Sequence, residues 1–381
     1  MGKSDKQAYL EAIRARYRKA TRTDKSKILD EFCAVCHYHR KYALRRLNQS
    51  AKKTPVNKPG RHSRYAAANV MTPLRAIWLA TDQMASKRLK AALPLWLPYY
   101  EQAHGTLADD VRHKLLAVSA STIDRLLAPV RAAAGKRGLS GTKPGTLLKN
   151  QIPLQGQAWD VSQPGFIEAD TVAHCGNSLA GDFVWSLTMT DLYSGWTECR
   201  ATWNKGADGV MNQIKAVQQT LPFAIKGFDC DNGSEFLNWH LLRYFQTHKQ
   251  PIQFTRSRPY HSNDNAHVEQ KNWSCVRQLL GYERFANPRL VKAINDLYAN
   301  EFSWLTNFFS PTMKLAEKTR VGSKIVKKYA APETPAQRLL NHQSLTIDQK
   351  QRLIDTQAAL NPFVLRDTIQ RKLKAIFKLV R

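Results

Sequence analysis

The alternation of apolar and polar positions changes character along the chain and predicts three kinds of segment. Residues 1 to about 130 place apolar side chains at helical spacing, with Arg and Lys interleaved among Leu, Ala and Ile. Residues about 131 to 163, through AAAGKRGLSGTKPGTLLKNQIPLQ, hold Gly, Lys and Pro without periodicity and predict a basic linker. From 164 to about 280, β-rich runs alternate with helical ones. Strands are predicted at GFIEADTV, FVWSLTMTD, WTECRAT, AIKGFDC and PIQFT, with a turn at LYSG. Helices are predicted from about 205 to 220, from near Ser234, and from about 265 to 280. The remainder reads mostly helical and ends in the basic RDTIQRKLKAIFKLVR, and no repeat of fixed period is present.

The order βββαβαβα is informative about topology. An antiparallel, hairpin-built start followed by parallel additions is the plan of ribonuclease H-like α/β folds, with the first and fourth strands side by side. The expected architecture is therefore multidomain: a helix-turn-helix-like α-helical N-terminal region, an α/β core, and a mostly helical C-terminal region. The expected boundaries are 1–65 and 66–130 for two helical units, 131–163 for the linker, 164–285 for the core, and 286–381 for a region of unassigned role.

Each helical unit pairs a short helix with a second, more polar one. In the first, KSKILDEFCAVCH turns into RKYALRRLNQ, where Arg40, Lys41, Arg45 and Arg46 decorate a helix expected to point Leu44 and Leu47 inward. In the second, ADDVRHKLLAVSASTIDRLLAPVR breaks at Val118-Ser119 and restarts with Ser119 or Ser121 as N-cap. Helix, tight turn, then a helix with polar residues in its first turn is the helix-turn-helix plan, whose second helix enters the DNA major groove. Arg40, Lys41 and Arg45, then Ser121, Thr122 and Arg125, are the expected DNA contacts, with Lys143 in the linker. The connector KKTPVNKPGRHSRY, 52 to 65, is either laid along phosphates or solvated.

Charge sharpens this picture. Among 381 residues, Lys and Arg number 58 and Asp and Glu 30, a net charge of +28. Such an excess points to a polyanionic partner, nucleic acid first. No apolar run approaches the ~20 residues of a membrane span, so a cytoplasmic, nucleoid-associated location with no membrane partner is expected. The six cysteines are too scattered for a disulfide framework. CAVCHYH, 33 to 39, has the spacing of covalent haem attachment. However, it reads as a helix with Ile28, Leu29, Phe32, Val35 and Cys36 on one face, and no second Cys/His pair completes a zinc finger. Its cysteines are expected to be small buried apolar side chains.

Acids are scarce in this chain, which makes their placement informative. Asp170 lies in the first core strand, Asp231 at the end of the fourth, and Glu269 on the last core helix. Glu269 is expected to share an inward face with Trp273, Val276 and Leu280. Three converging carboxylates repel one another unless hard cations neutralise them. Two Mg²⁺ ions prefer such oxygen donors and, ~3.5–4 Å apart, can activate an attacking oxygen and stabilise a leaving oxygen on phosphate. Glu168 and Asp229, each two residues from its neighbour and so on the same face, compete for the strand roles. Asp264 reads as a helix cap, Asp191 and Ser194 as hairpin-turn residues, and His174, His261 and His267 are left outside the catalytic set. Arg256, Arg258 and Lys271 flank the acids as candidate phosphate contacts.

FDCDNGSEF, followed by TRSRPYHSNDNAHVEQKN, resembles the central and final motifs of the integrase-core transposases of bacterial insertion sequences, relatives of retroviral integrases. On that resemblance the first Asp falls on Asp170 in FIEADTVAHCG, the second on Asp231 before Asn-Gly, and the Glu on Glu269. The interval 269 − 231 = 38 leaves 37 residues between them. The resemblance implies a DNA transposase using Mg²⁺, with Mn²⁺ as a substitute. It also implies double-stranded transposon ends and target DNA as partners, and a dimer or higher homo-oligomer on DNA. Rival readings are a ribonuclease H-like nuclease without strand transfer, a DNA-binding repressor with an inert core, and an RNA-binding ribosome-associated protein.

Overall fold

Three amphipathic helices form the N-terminal unit, α1 (Lys3–Lys19), α2 (Arg22–Cys36) and α3 (Arg40–Asn48). The structure, a computed structural model, describes residues 3–49, 64–133, 162–230, 233, 235–236, 238–248, 250–256, 266–321 and 323–380. Most of the expected linker and of the 52–65 connector lies outside these. Residues 1–62 and 63–381 form separate compact units. In the first, Thr21 caps α2 through the Asp24 N–H, and His37 ends the helix in the left-handed region at φ 55°. The core gathers Leu10, Ile13 and Tyr17 with Ile28, Leu29, Phe32, Cys36, Ala43 and Leu47. Two expected core positions turn outward, since Val35 and Leu44 are each 41% exposed. The buried stripe of α3 runs through Ala43 and Leu47, one turn apart, which carries Leu44 off the shared surface. Cys36 packs in this core, as the helical reading of CAVCH expected.

In the second unit, α4 (Ala68–Ala80), α5 (Ser86–His104), α6 (Asp109–Ala117) and α7 (Ala120–Ala133) share one core with the sheet and the C-terminal helices. Trp96 of α5 shows how: its indole N–H donates to the Phe309 carbonyl at 2.9 Å, and its ring meets Phe363 edge-on. The break at 118–119 is present, and Ser119 Oγ accepts the Thr122 N–H at 3.2 Å.

The sheet comprises β1 (Phe166–Ala173), β2 (Val184–Asp191), β3 (Thr197–Trp203), β4 (Gly227–Cys230) and β5 (Gln253–Arg256) in the order β3-β2-β1-β4-β5. The first three strands are antiparallel, and β4 and β5 add in parallel. Helix α8 (Ala207–Thr220) lies close on the face shared by Thr202 and Trp185, where a Cβ at Gly209 would come within 2.5 Å of Thr202 Oγ1. Helix α9 (Trp239–Gln246) begins later than expected, because Asn238 rather than Ser234 is the cap; its Oδ1 accepts the Leu241 N–H at 2.9 Å.

The opposite face receives α10 (Ala266–Lys271), a π segment (Asn272–Arg277) and α11 (Gln278–Leu280). Then α12 (Arg289–Leu297), a second π segment (Tyr298–Phe302) and α13 (Ser303–Phe309) cover the outer edge of β3. Two carboxamides stand in for a sixth strand. Asn295 accepts the Ala201 N–H and donates to the Ala201 carbonyl at 2.7 and 2.8 Å, and Asn307 does the same for Thr197 at 2.9 and 3.0 Å. This satisfies backbone groups that would otherwise pair with another chain. After α13 come β6 (Leu315–Val321), β7 (Lys324–Tyr329), α14 (Pro335–Asn341), α15 (Ile347–Ala358) and α16 (Pro362–Val380). No helix among the described residues is long and apolar enough to cross a membrane.

His174, just past β1, is built into this framework. Its Nε2 lies 2.8 Å from Ser186 Oγ, which lies 3.0 Å from the Tyr298 hydroxyl, and its ring stacks on Phe285. Burial, with Arg277 nearby, pushes the imidazole down to about 3. The unfolded chain binds that proton near 6.5, so the group favours folding fully above about pH 6.5 and loses its contribution as pH falls towards 3. One proton limits the slope to roughly 1.4 kcal/mol per pH unit. The unfolding free energy of His174→Phe is therefore expected to fall less steeply than the parent's over this range in denaturant titrations; parallel curves would contradict the assignment.

Candidate active site

Parallel pairing of β1 with β4 sets Glu168 beside Asp229 and Ala169 beside Cys230. Strand alternation puts Glu168, Asp170 and Val172 on one face, and the antiparallel register continues the Asp170 row through Thr188 to Cys199. Helix α10 docks on this face through the acids themselves. The Val268 N–H donates to Glu168 Oε2 at 3.1 Å, and Asn272 Nδ2 donates to Asp170 Oδ2 at 2.6 Å. Asp170 Oδ1 accepts the Thr171 N–H at 2.7 Å.

Burial separates the competing acids. Glu168 and Asp229 are buried, and Asp229 Oδ1 accepts the Thr255 hydroxyl at 2.6 Å across to β5. A carboxylate enclosed in this way must be satisfied within the fold. Asp170 is half-buried, with both carboxylate oxygens hydrogen-bonded, and Glu269 is exposed. Asp231 lies outside the described residues, as do Lys143, Arg258, His261, Asp264 and the side chain of His267.

The helix bearing Glu269 differs from expectation. Val268, Cys275, Val276 and Leu280 are buried, whereas Trp273 is 54% exposed and shares the outer side with Glu269. The π segment is the reason: its wide turn inserts one residue, about 100° of helical phase, between Glu269 and the Val276–Leu280 stripe. Glu269 therefore stands at the open rim of the face instead of being pressed inward.

The remaining expected contacts are placed as follows. Lys271 directs its ammonium to the Gly195 carbonyl at 3.3 Å, and burial lowers its pKa, so this amine is used within the fold. Arg256 is half-buried on β5. Arg40 pairs with Asp30 and donates to Ser26 Oγ at 3.0 Å, Lys41 is exposed, and Arg45 lies 5.4 Å from the Tyr42 ring centre. Ser121 and Arg125 are exposed, and Arg125 donates to Thr122 Oγ1 at 3.1 Å. Asp191 serves the turn after β2: it accepts the Gly165 and Ser194 N–H groups and the Ser194 hydroxyl at 2.8, 2.7 and 2.6 Å, and burial raises its pKa.

Sequence reasoning missed Asn272 and Glu235. Asn272 falls three residues after Glu269, an i,i+3 signal readable as one helix face. Glu235 is buried in the turn after Asp231, where Oε1 takes the Thr171 hydroxyl at 2.9 Å and the Lys205 ammonium at 2.8 Å. It ties that turn to β1 beside Asp170. A Cβ at Gly233 would lie 2.3 Å from Glu235 Oε2, so a side chain there would displace the Glu235 carboxylate.

Among the described residues, no three His, Cys, Asp or Glu side chains are grouped to hold a metal. Two of the three expected acids, Asp170 and Glu269, fall among those residues, and carboxylate oxygen is the donor type that suits Mg²⁺. The strand order and the β1–β4 parallel pair define an α/β protein built on a five-stranded mixed sheet. The chain belongs to the family of the uncharacterized protein y4rM of Sinorhizobium fredii (strain NBRC 101917 / NGR234), with 39% identity over 334 residues, 86% of this chain and 93% of that relative. No protein-family model matches it. Among solved structures it is similar to a chain of the simian T-cell lymphotropic virus intasome in complex with PP2A regulatory subunit B56 gamma, at 13% identity and a TM-score of 0.32, over 56% of this chain and 70% of that one. It is also similar to the HTLV-2 integrase catalytic core domain in complex with magnesium, dimeric form, at 16% identity and a TM-score of 0.28, over 39% of this chain and 90% of that one. Both likenesses are weak, and the fold assignment stands on the strand order alone.

Two substitutions separate positioning from folding. Were Asp170 to ligate a cation, Asn272→Ala would weaken Mn²⁺ binding by about 10–100-fold in calorimetric titration, the usual loss when a ligand's hydrogen-bonding partner is removed, with the metal-free melting temperature close to the parent's. Glu168→Ala is expected instead to cost about 1–3 kcal/mol of stability in denaturant titration, because the buried Val268 N–H loses its acceptor.

Proposed function

We propose that this chain is a DNA transposase that cleaves the 3′ ends of an insertion sequence and transfers them to target DNA. The observation that supports the proposal is the Asn272–Asp170 hydrogen bond at 2.6 Å, which fastens the helical segment following Glu269 to the acid of β1. Asp170, Asp231 and Glu269 would hold the divalent cations. When bound, two such ions supply activation of an attacking oxygen and stabilisation of a leaving oxygen on phosphate. No side chain acts as nucleophile: water opens the phosphodiester first, and the freed 3′-hydroxyl then attacks the target strand.

The chain's own residues bind and orient. Asn272 fixes the plane of the Asp170 carboxylate, and Glu235 with Lys205 steadies the turn that follows Asp231. The helix pairs α2–α3 and α6–α7 are read as helix-turn-helix units for the terminal inverted repeats. Arg40, Lys41, Arg45, Ser121, Thr122 and Arg125 would serve there, with Lys143, Arg256 and Arg258 on phosphates. The net charge of +28 supports a polyanionic substrate, and an acid cluster suits so basic a protein when cations stand between it and the DNA backbone. Processing two ends together requires a dimer or larger assembly on DNA, and the expected location is the bacterial nucleoid.

Duplexes bearing inverted repeats located in the DNA on either side of the reading frame would provide the test. The parent is expected to nick them at the 3′ end only with Mg²⁺ or Mn²⁺ and to join a precut end to a second duplex. Asp170→Asn, Asp231→Asn and Glu269→Gln are each expected to reduce both reactions to background while duplex binding persists. Nicking without joining of the precut end would favour a nuclease, and binding without any metal-dependent cutting would favour a repressor.

A further inference from the structure

Strands β6 and β7 make a two-stranded ribbon separate from the five-stranded sheet. Such a ribbon is marginally stable by itself, and here its root is fastened to the body of the protein. The Thr312 N–H donates to the Glu333 carbonyl at 2.8 Å and the Ala330 N–H to the Lys314 carbonyl at 2.8 Å. Arg338 joins Thr312 Oγ1 to the Ser194 carbonyl, each at 2.8 Å, and the Lys314 ammonium sits on the Leu192 and Tyr193 carbonyls. Beyond that root, Glu317, Arg320, Val326, Lys327, Lys328 and Tyr329 are exposed. These side chains are open to solvent.

Its charge is unbalanced. LAEKTRVGSKIVKKY, 315 to 329, contains Lys318, Arg320, Lys324, Lys327 and Lys328 against the single acid Glu317. That acid is taken by Lys328, 2.7 Å away and opposite it in register. The neighbouring register sets Lys318 directly opposite Lys327 and Arg320 opposite Ile325. Like charges opposed across a ladder destabilise it, so the sequence maintains a cost that a polyanion would offset. The dimensions agree with one kind of polyanion. Two strands ~4.8 Å apart and about 23 Å long suit a B-DNA major groove ~12 Å wide, which admits a two-stranded ribbon. The root also adjoins the candidate site: the Gly195 carbonyl, in the turn held by Lys314 and Arg338, receives Lys271, two residues after Glu269.

We propose that the β6–β7 ribbon is a duplex-DNA contact that enters the major groove next to the Glu269 helix. The proposal rests on the reading of DNA as substrate, and supplies a role for residues that the sequence left unassigned. Lysines on exposed strand edges also serve to block edge-to-edge association, and the experiment separates the two uses.

The full chain and a Lys318→Gln/Arg320→Gln/Lys327→Gln variant are titrated against a short fluorescent duplex without metal, over a series of KCl concentrations. The slope of log K against log salt is expected to become shallower by about 0.9 for each phosphate that the variant no longer neutralises, roughly 2–3 for the triple variant. Lys327→Arg is expected to keep the parent slope. Dimethyl sulfate footprinting is expected to show guanine N7 protection by the parent and none by the variant. An unchanged slope and footprint would overturn the proposal, and aggregation of the variant with an unchanged slope would assign the lysines to edge protection. A parent chain that fails to bind the duplex at all would instead sink the DNA reading itself.

Discussion

The parallel pairing of β1 with β4 is the constraint on which the rest depends. A hairpin cannot join two parallel neighbours, so the chain must leave the sheet after β3, build α8, and return beside β1. That return sets Glu168 against Asp229 at the heart of a very basic protein. Two buried acids side by side are tolerable only if each is given donors, and the donors organise the neighbourhood. Glu168 takes the backbone of α10, and Asp229 takes Thr255 of β5. Through these bonds the acids that stay inside the fold position those that face out.

The same economy runs through the periphery. Edge strand β3 is closed by Asn295 and Asn307 in place of another strand, which binds α12 and α13 to the sheet. The turn after β2 is closed from within by Asp191 and from outside by Lys314 and Arg338. Burial lowers the Lys314 pKa to about 8, yet two carbonyls and nearby Asp191 keep a place for its charge. The C-terminal segment is thus structurally coupled to the hairpin at the base of the candidate site.

Much of the sheet was legible in the sequence because its strands are short, β-branched and bounded by turn residues. The order of elements also implied the β1–β4 neighbourhood that the structure contains. Three things were not legible. The π segment leaves no mark in apolar spacing, so Trp273 was placed inward when it faces out. Val35 and Leu44 fit a loose helical stripe but lie beyond the narrow packed surface of a three-helix unit. The sharing of one core by α4–α7, the sheet and α16 arises from long-range packing such as that of Trp96 with Phe309 and Phe363, which local composition does not encode. At the site, type and parity narrowed each strand to two acids. Burial then distinguished Glu168 from Asp170, while Asn272 and Glu235 emerged only once their partners were in view.

The central claim is that Asp170, Asp231 and Glu269 meet around a shared metal position. Iron-directed cleavage of the polypeptide tests it most directly. Fe²⁺ with ascorbate and peroxide cuts backbone close to wherever the metal resides. The account predicts cuts clustered near residues 170, 231 and 269 together, all suppressed by excess Mg²⁺. Cuts at one of these places alone, or at none, would contradict it.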